Sequence, residues 1–124
     1  MKIAILVPSY NRSEQLEKSI DSLLSNAKYP NNLLFAFRID NVDEETKQFV
    51  YNLRRKLGGN VCVVSGPHKD RKELHIEYNN LWRCYFRVAD FFIPWEDDRS
   101  MVTMGWDTQI FKYHESLNKP RLVC

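Results

Sequence analysis

The sequence predicts an α/β fold, a Rossmann-like open and mainly parallel sheet flanked by helices. Three observations carry that expectation. The chain opens on a continuous apolar run, Ile3-Ala4-Ile5-Leu6-Val7, of the kind found in strands covered on both faces. Apolar runs of strand length then alternate with amphipathic stretches of helix length, the pattern of strand–helix–strand crossovers in a parallel sheet. At 124 residues, 44% hydrophobic and 27% charged, the chain suits one globular domain over 1–124, with a single core and little left for a second.

The elements follow in order. Pro8 ends the first strand. Asn11 with Glu14 three residues later matches a capping box, and Leu16, Ile20, Leu23 and Leu24 share one face of the helix that follows. That helix should end near Ala27, ahead of Pro30. A second strand is expected over Leu33 to Ile39, ending at the polar turn Asp40-Asn41. The next helix runs from about Asp43 to Leu57, with Phe49, Val50, Leu53 and Leu57 inward and Gly58-Gly59 as its stop. Val61 to Val64 makes a third strand. After a loop over Ser65 to Arg71, the residues Leu74, Tyr78, Leu81, Trp82, Tyr85 and Val88 predict a third helix with an aromatic inner face. Phe91-Phe92-Ile93 is the fourth strand, closed by Pro94. A last helix is expected from Thr108 to about Leu117, capped by Asp107, with a short apolar piece at Leu122 to Cys124.

Composition excludes several classes. With 18 basic against 16 acidic residues, the formal net charge of +2 makes no field strong enough to indicate nucleic acid binding. No apolar run approaches the roughly 20 residues of a membrane-spanning helix, and Ile3 to Val7 is too short for a signal-peptide core. Cys62, Cys84 and Cys124 are an odd set at wide spacing with no CxxC pair, read as reduced thiols of a cytoplasmic protein. His75 and His114 have no acid or cysteine at ligand spacing and read as surface or structural residues.

Ligands of open parallel sheets bind beyond the carboxyl ends of the strands, where strand order reverses. The loops Pro8 to Arg12, Asp40 to Asp43 and Trp95 to Arg99 therefore define the expected site. Glu96-Asp97-Asp98 after the fourth strand is a strongly anionic run that a cation would relieve. Its hard oxygens suit Mn2+ or Mg2+, with water and substrate phosphates completing the coordination. A solvated acidic turn is the alternative for the same residues.

At this point a resemblance becomes specific. Val7-Pro8-Ser9-Tyr10-Asn11-Arg12 resembles the opening motif of family 2 glycosyltransferases of the GT-A type, whose first strand commonly ends in Pro-x-Tyr-Asn-Arg. The stretch FFIPWEDDRSMVTMGWD, residues 91–107, resembles the strand, acidic DxD motif and Gly-Trp-Asp segment of the same group. The order of elements between the two motifs is also similar, so the resemblance covers nearly the whole chain.

The resemblance implies a metal-dependent transferase that uses a nucleoside-diphosphate sugar, UDP- or GDP-linked, and an unidentified acceptor. Pro8, Tyr10 and Arg12 match the loop lying against the nucleoside, with Tyr10 near the base; as plain sequence, the same residues are a strand-ending turn. Asp40 matches the acid that hydrogen-bonds the nucleobase, and Asp40-Asn41 is equally a good turn. Asp98 matches the last acid of the DxD motif, the metal ligand. Glu96 takes the place of the first acid, near the ribose, where the family usually has Asp, which leaves the roles of Glu96 and Asp97 undivided. Trp106 and Asp107 match a segment flanking the sugar pocket, although a helix cap is preferred for Asp107. Asn79 matches a polar residue facing the donor, and His68-Lys69-Asp70-Arg71-Lys72 is either a diphosphate contact or a solvated loop.

Family members continue well past the DxD motif, through the segments that hold the acceptor and the catalytic base. Here only Glu115 follows Asp107 as a carboxylate, so the catalytic residue is unknown and the chain is expected to be the donor-binding part alone. A non-catalytic nucleotide-sugar-binding or assembly module is the alternative, with self-association into a homo-oligomer left open. A sugar-nucleotidyltransferase would carry a Gly-rich loop after the first strand, and Pro8 to Arg12 contains no glycine. A receiver domain would place its acids after the first and third strands.

Overall fold

The computed structural model of the chain describes residues 1–67 and 74–117, with side chains excepted at 74, 75 and 114–117. Four parallel strands form one sheet in the order β3-β2-β1-β4. They are β1 (Ile3–Pro8), β2 (Leu33–Asp40), β3 (Val61–Gly66) and β4 (Phe91–Pro94). Helices α1 (Ser13–Asn26), α2 (Glu44–Leu57), α3 (Leu74–Trp82) and α4 (Trp106–Leu117) alternate with them or follow. The Rossmann-like α/β class expected from the sequence is the class observed.

The central strands are buried along nearly their whole length because both faces are covered. On one face Ile3, Ile5, Val7, Phe35, Phe37 and Ile39 pack with Leu16, Ile20 and Leu23 of α1, Val50 and Leu53 of α2, and Trp106 of α4. On the other, Ala4, Leu6, Leu34 and Ala36 meet Leu81, Tyr85 and Tyr78. Burying a side chain of the size of Phe35 or Ile5 stabilises the fold by about 1.5–3 kcal/mol, so this alternation is the main source of stability. β4 is an edge strand, where the missing amide of Pro94 costs no ladder bond.

Several local expectations are corrected. The capping box at Asn11 and Glu14 does not form: α1 begins at Ser13 after Arg12 with no side-chain cap, and Asn11 adopts φ +52°, a left-handed conformation that Asn tolerates better than most residues. α3 ends at Trp82 and does not reach Val88. The chain then tightens through i to i+3 bonds, Cys84 N to Leu81 O and Tyr85 N to Trp82 O, so that it can turn into β4. That tightening rotates the aromatic stripe. Tyr85 stays buried, while Trp82 is 43% exposed, with its ring 5.1 Å from that of Phe86.

Asp107 does not cap a helix starting at Thr108. It lies in the first turn of α4, 1% exposed, and its two carboxylate oxygens accept from the backbone amides of Lys28 (2.8 Å) and Tyr29 (2.9 Å). β3 and β4 run slightly longer than expected, to Gly66 and Pro94. The basic run His68 to Lys72 and the piece Leu122 to Cys124 lie outside the described residues, as do the side chains of His75, His114 and Glu115.

Candidate functional site

Strand order sets the position of the site. The chain builds outward from β1 to β2 and β3, then returns to the other side of β1 with β4, so the order reverses between β1 and β4. A crevice opens at such a switch point, beyond the carboxyl ends of the two strands. Parallel register brings those ends together: Leu6 pairs with Pro94, and the amide of Trp95 donates to Leu6 O at 2.9 Å. Trp95 is itself anchored, its indole NH donating to Ser19 Oγ of α1 at 2.6 Å.

Asp97 joins the two loops. Its Oδ2 accepts from the hydroxyl of Ser9 (3.1 Å) and the amide of Tyr10 (3.5 Å), while Oδ1 lies 3.4 Å from Arg12 Nη1. The residue is only 7% exposed. Burial raises its pKa above the ordinary carboxylate value, opposed by the Ser9 hydrogen bond, the Arg12 charge and the Tyr10 amide, and reinforced by the neighbouring charge of Asp98.

The three acids of the run have different environments. Glu96 points to solvent and pairs with Arg99 at 3.4 Å. Asp98, with its side chain 49% exposed, pairs with Arg12 Nη1 at 3.4 Å. One guanidinium nitrogen thus lies between Asp97 and Asp98, a cation shared by two carboxylates beyond the ends of β1 and β4. Among the described residues, no three His, Cys, Asp or Glu side chains converge in a metal-binding group.

The β1 loop is also held from the β2 side. Asn11 N donates to Asp43 Oδ2 at 2.8 Å, and the same carboxylate caps α2 by accepting from Thr46 N and Thr46 Oγ1. Ser9 N donates to Arg38 O at 2.9 Å, extending the β1–β2 pairing by one residue. Tyr10, between these two anchors, is 53% exposed, and Pro8 is half-buried at the end of β1.

Asp40 ends β2 on the α3-facing side, where a second charged group is buried. Arg38 Nε lies 2.9 Å from Glu77 Oε2 of α3, and Arg38 Nη1 lies 3.6 Å from Asp40 Oδ1. The guanidinium also donates to the carbonyls of Ile39 and Pro67. Gly66 permits this approach, since a Cβ there would stand 3.1 Å from Arg38 Nη2. Glu77 Oε1 is buried and finds no partner among the described residues.

The structure therefore brings Ser9, Tyr10, Arg12, Asp97 and Asp98 together beyond the carboxyl ends of β1 and β4, with Pro8 and Asp40 at the ends of β1 and β2. It leaves Glu96 on the surface, and Asn79 exposed on α3. Trp106 and Asp107 stand away from these strand ends: the Trp106 indole donates to Leu23 O, and Asp107 holds the connection from α1 to β2, ahead of the amino-terminal end of β2. Sequence reasoning missed Ser9, Asp43 and the Arg38–Glu77 pair. An arginine inside an otherwise apolar strand, and a glutamate on the inward face of a helix, were the available signals for that pair.

No protein-family model matches the sequence, and no curated protein matches it. Solved structures do match. S. aureus TarS 1-349 aligns with a TM-score of 0.74 at 18% identity, covering 94% of this chain and 33% of that one. The same protein in complex with UDP aligns equally, at 0.74 and 18%, over 94% and 32%. Its complex with UDP-GlcNAc aligns at 0.69 and 20%, over 94% and 32%. The chain spans about a third of the length of TarS 1-349, and what the two share is the fold. Among the described residues, no helix is long and apolar enough to cross a membrane.

Proposed function

We propose that this chain binds a nucleoside-diphosphate sugar, UDP- or GDP-linked, in the crevice between the β1 and β4 ends, as the donor-binding part of a metal-dependent glycosyltransferase. The observation that carries the reading is the bridge from Asp97 to Ser9, Tyr10 and Arg12, which holds the two resembling motifs against each other at the switch point. Support also comes from the fold shared with TarS, solved in complex with UDP and with UDP-GlcNAc.

In this reading the exposed Tyr10 ring packs near the base, Asp40 accepts from a base N–H, and Pro8 shapes the floor of the loop. Asp97 and Glu96 border the ribose, with Asp97 also orienting the β1 loop. Arg12 lies where it can meet diphosphate oxygens, for which a guanidinium is well matched. Asp98 and its neighbour Asp97 supply hard oxygen donors that fit Mn2+ or Mg2+, and Asp98 is the residue that would hold the ion. Stabilising the charge on a departing diphosphate is the chemistry a bound ion supplies there.

Calorimetric titration with UDP and GDP in the presence of manganese tests the proposal. Binding should weaken at least tenfold in Asp98→Ala, and equal binding by the two proteins would remove the metal role. A non-catalytic nucleotide-sugar-binding module would use the same crevice; it predicts donor binding without donor hydrolysis or sugar transfer, so hydrolysis by the purified chain refutes it.

A further inference from the structure

We propose that Cys62 and Cys84 form a redox-active dithiol, a site that exchanges with small-molecule disulfides such as glutathione disulfide and closes into an intramolecular disulfide. Their sulfurs lie 2.8 Å apart although the residues are 22 apart in sequence. Cys62 sits on β3 opposite Ala36, and Cys84 sits in the tightened turn after α3, its amide bonded to Leu81 O. Both thiols are free and partly exposed. A disulfide bond is about 2.0 Å long, so closure requires the sulfurs to approach by less than about 1 Å. Wide spacing in the sequence concealed this pair.

The environment assigns the two roles. The hydrogen bond between the two sulfurs, helped by the charge of Arg54 on α2 and opposed by burial, lowers the Cys62 pKa to about 7. Cys84 is pushed up, first by the same hydrogen bond and then by burial. Tyr85, whose own pKa burial raises, is a further titratable group beside them. Cys62 is therefore the attacking thiolate and Cys84 the resolving thiol.

The Cys62 thiolate attacks one sulfur of glutathione disulfide, forming a mixed disulfide and releasing one glutathione thiolate. The negative charge on Cys62 is then gone, and with it the main cause holding the proton on Cys84. Cys84 gives up that proton to solvent, its thiolate attacks the Cys62 sulfur, and the second glutathione thiolate leaves. Two protein thiols are oxidised and one glutathione disulfide is reduced to two glutathiones. The product staples β3 to the segment after α3, the helix that carries Glu77 against Arg38.

The test uses Cys124→Ser protein, which retains this pair alone. After incubation with glutathione disulfide at pH 7.5, above the lowered value of Cys62, titratable thiols should fall to none. Peptide mapping should find a Cys62–Cys84 link, reversed by dithiothreitol, and the oxidised protein should melt at a higher temperature. Adding Cys84→Ser should stop the reaction at the mixed disulfide on Cys62; adding Cys62→Ser should slow adduct formation at least tenfold. Stable glutathione adducts on the intact pair with no internal link overturn the proposal. So does a pair that reacts only in denaturant.

Discussion

The carboxylate of Asp97, on the loop after β4, accepts a hydrogen bond from the hydroxyl of Ser9, on the loop after β1, at 3.1 Å. Both residues are buried, and the contact spans 88 residues of sequence. Replacing Asp97 by Ala leaves Ser9 Oγ, the Tyr10 amide and Arg12 without their common acceptor. Stranding buried donors costs about 1–3 kcal/mol, and urea unfolding of Asp97→Ala should show a loss in that range. A loss below about 0.5 kcal/mol, the size of an ordinary surface substitution, would contradict the bridge.

The same residue gives a pH dependence of defined sign. Burial raises the Asp97 pKa above its ordinary value of 3.8 in the folded state, so the native protein takes up a proton before the unfolded chain does. Stability from this group therefore rises as pH falls through the raised value, and levels off below 3.8, where both states are protonated. Compared with Asp97→Asn, which cannot ionise, the wild type should gain relative stability between pH 7 and pH 4. Denaturant unfolding of the two proteins across that range checks it, and a relative loss on acidification contradicts the assignment.

The Arg38–Glu77 pair is a buried ion pair, where removing one partner costs far more than the pair contributes. Glu77→Ala leaves the buried guanidinium with Asp40 at 3.6 Å as its carboxylate partner among the described residues, and should destabilise the protein by about 3 kcal/mol. Glu77→Gln keeps an acceptor for Arg38 Nε and should cost less. Thermal unfolding of both variants distinguishes them, and equal losses would show that packing alone is at stake.

Asp107 should behave as a structural residue. Its carboxylate satisfies two backbone amides at the start of the connection into β2, and hydrogen bonds to a charged group contribute about 1.5–3 kcal/mol each. Asp107→Ala should lower stability by about 3 kcal/mol, while nucleotide affinity measured well below its melting temperature stays unchanged. A selective loss of affinity would return Asp107 to the sugar pocket.

Much of this arrangement is legible in the sequence. A strand buried on both faces is mostly apolar, so Ile3 to Val7 and, Arg38 apart, Leu33 to Ile39 announce themselves, and alternation with amphipathic helices dictates a parallel sheet. The loops after β1 and β4 then become the site by topology. What stayed hidden depends on contacts between distant segments. Asn11 reads as a helix cap until its amide is seen to serve Asp43, and Asp107 reads as one until α1 ends beside it. Asp97 and Asp98 are adjacent acids in sequence, and only the Ser9 and Tyr10 donors distinguish the buried one from the exposed one. The end of α3 at Trp82 follows from the turn into β4, which helical periodicity does not encode.

Amide chemical-shift mapping with UDP and magnesium tests the central claim most directly, because the 14.8 kDa chain is of a size that resolves well. The account predicts the largest shifts at Ser9 to Arg12, at Asp40 and Asn41, and at Trp95 to Asp98. The competing cleft of about 540 Å³ between α1 and α2, lined by Ser13, Glu17, Gln48 and Asn52, should stay silent. Shifts concentrated in that cleft, with the β1 and β4 loops unmoved, would contradict the account.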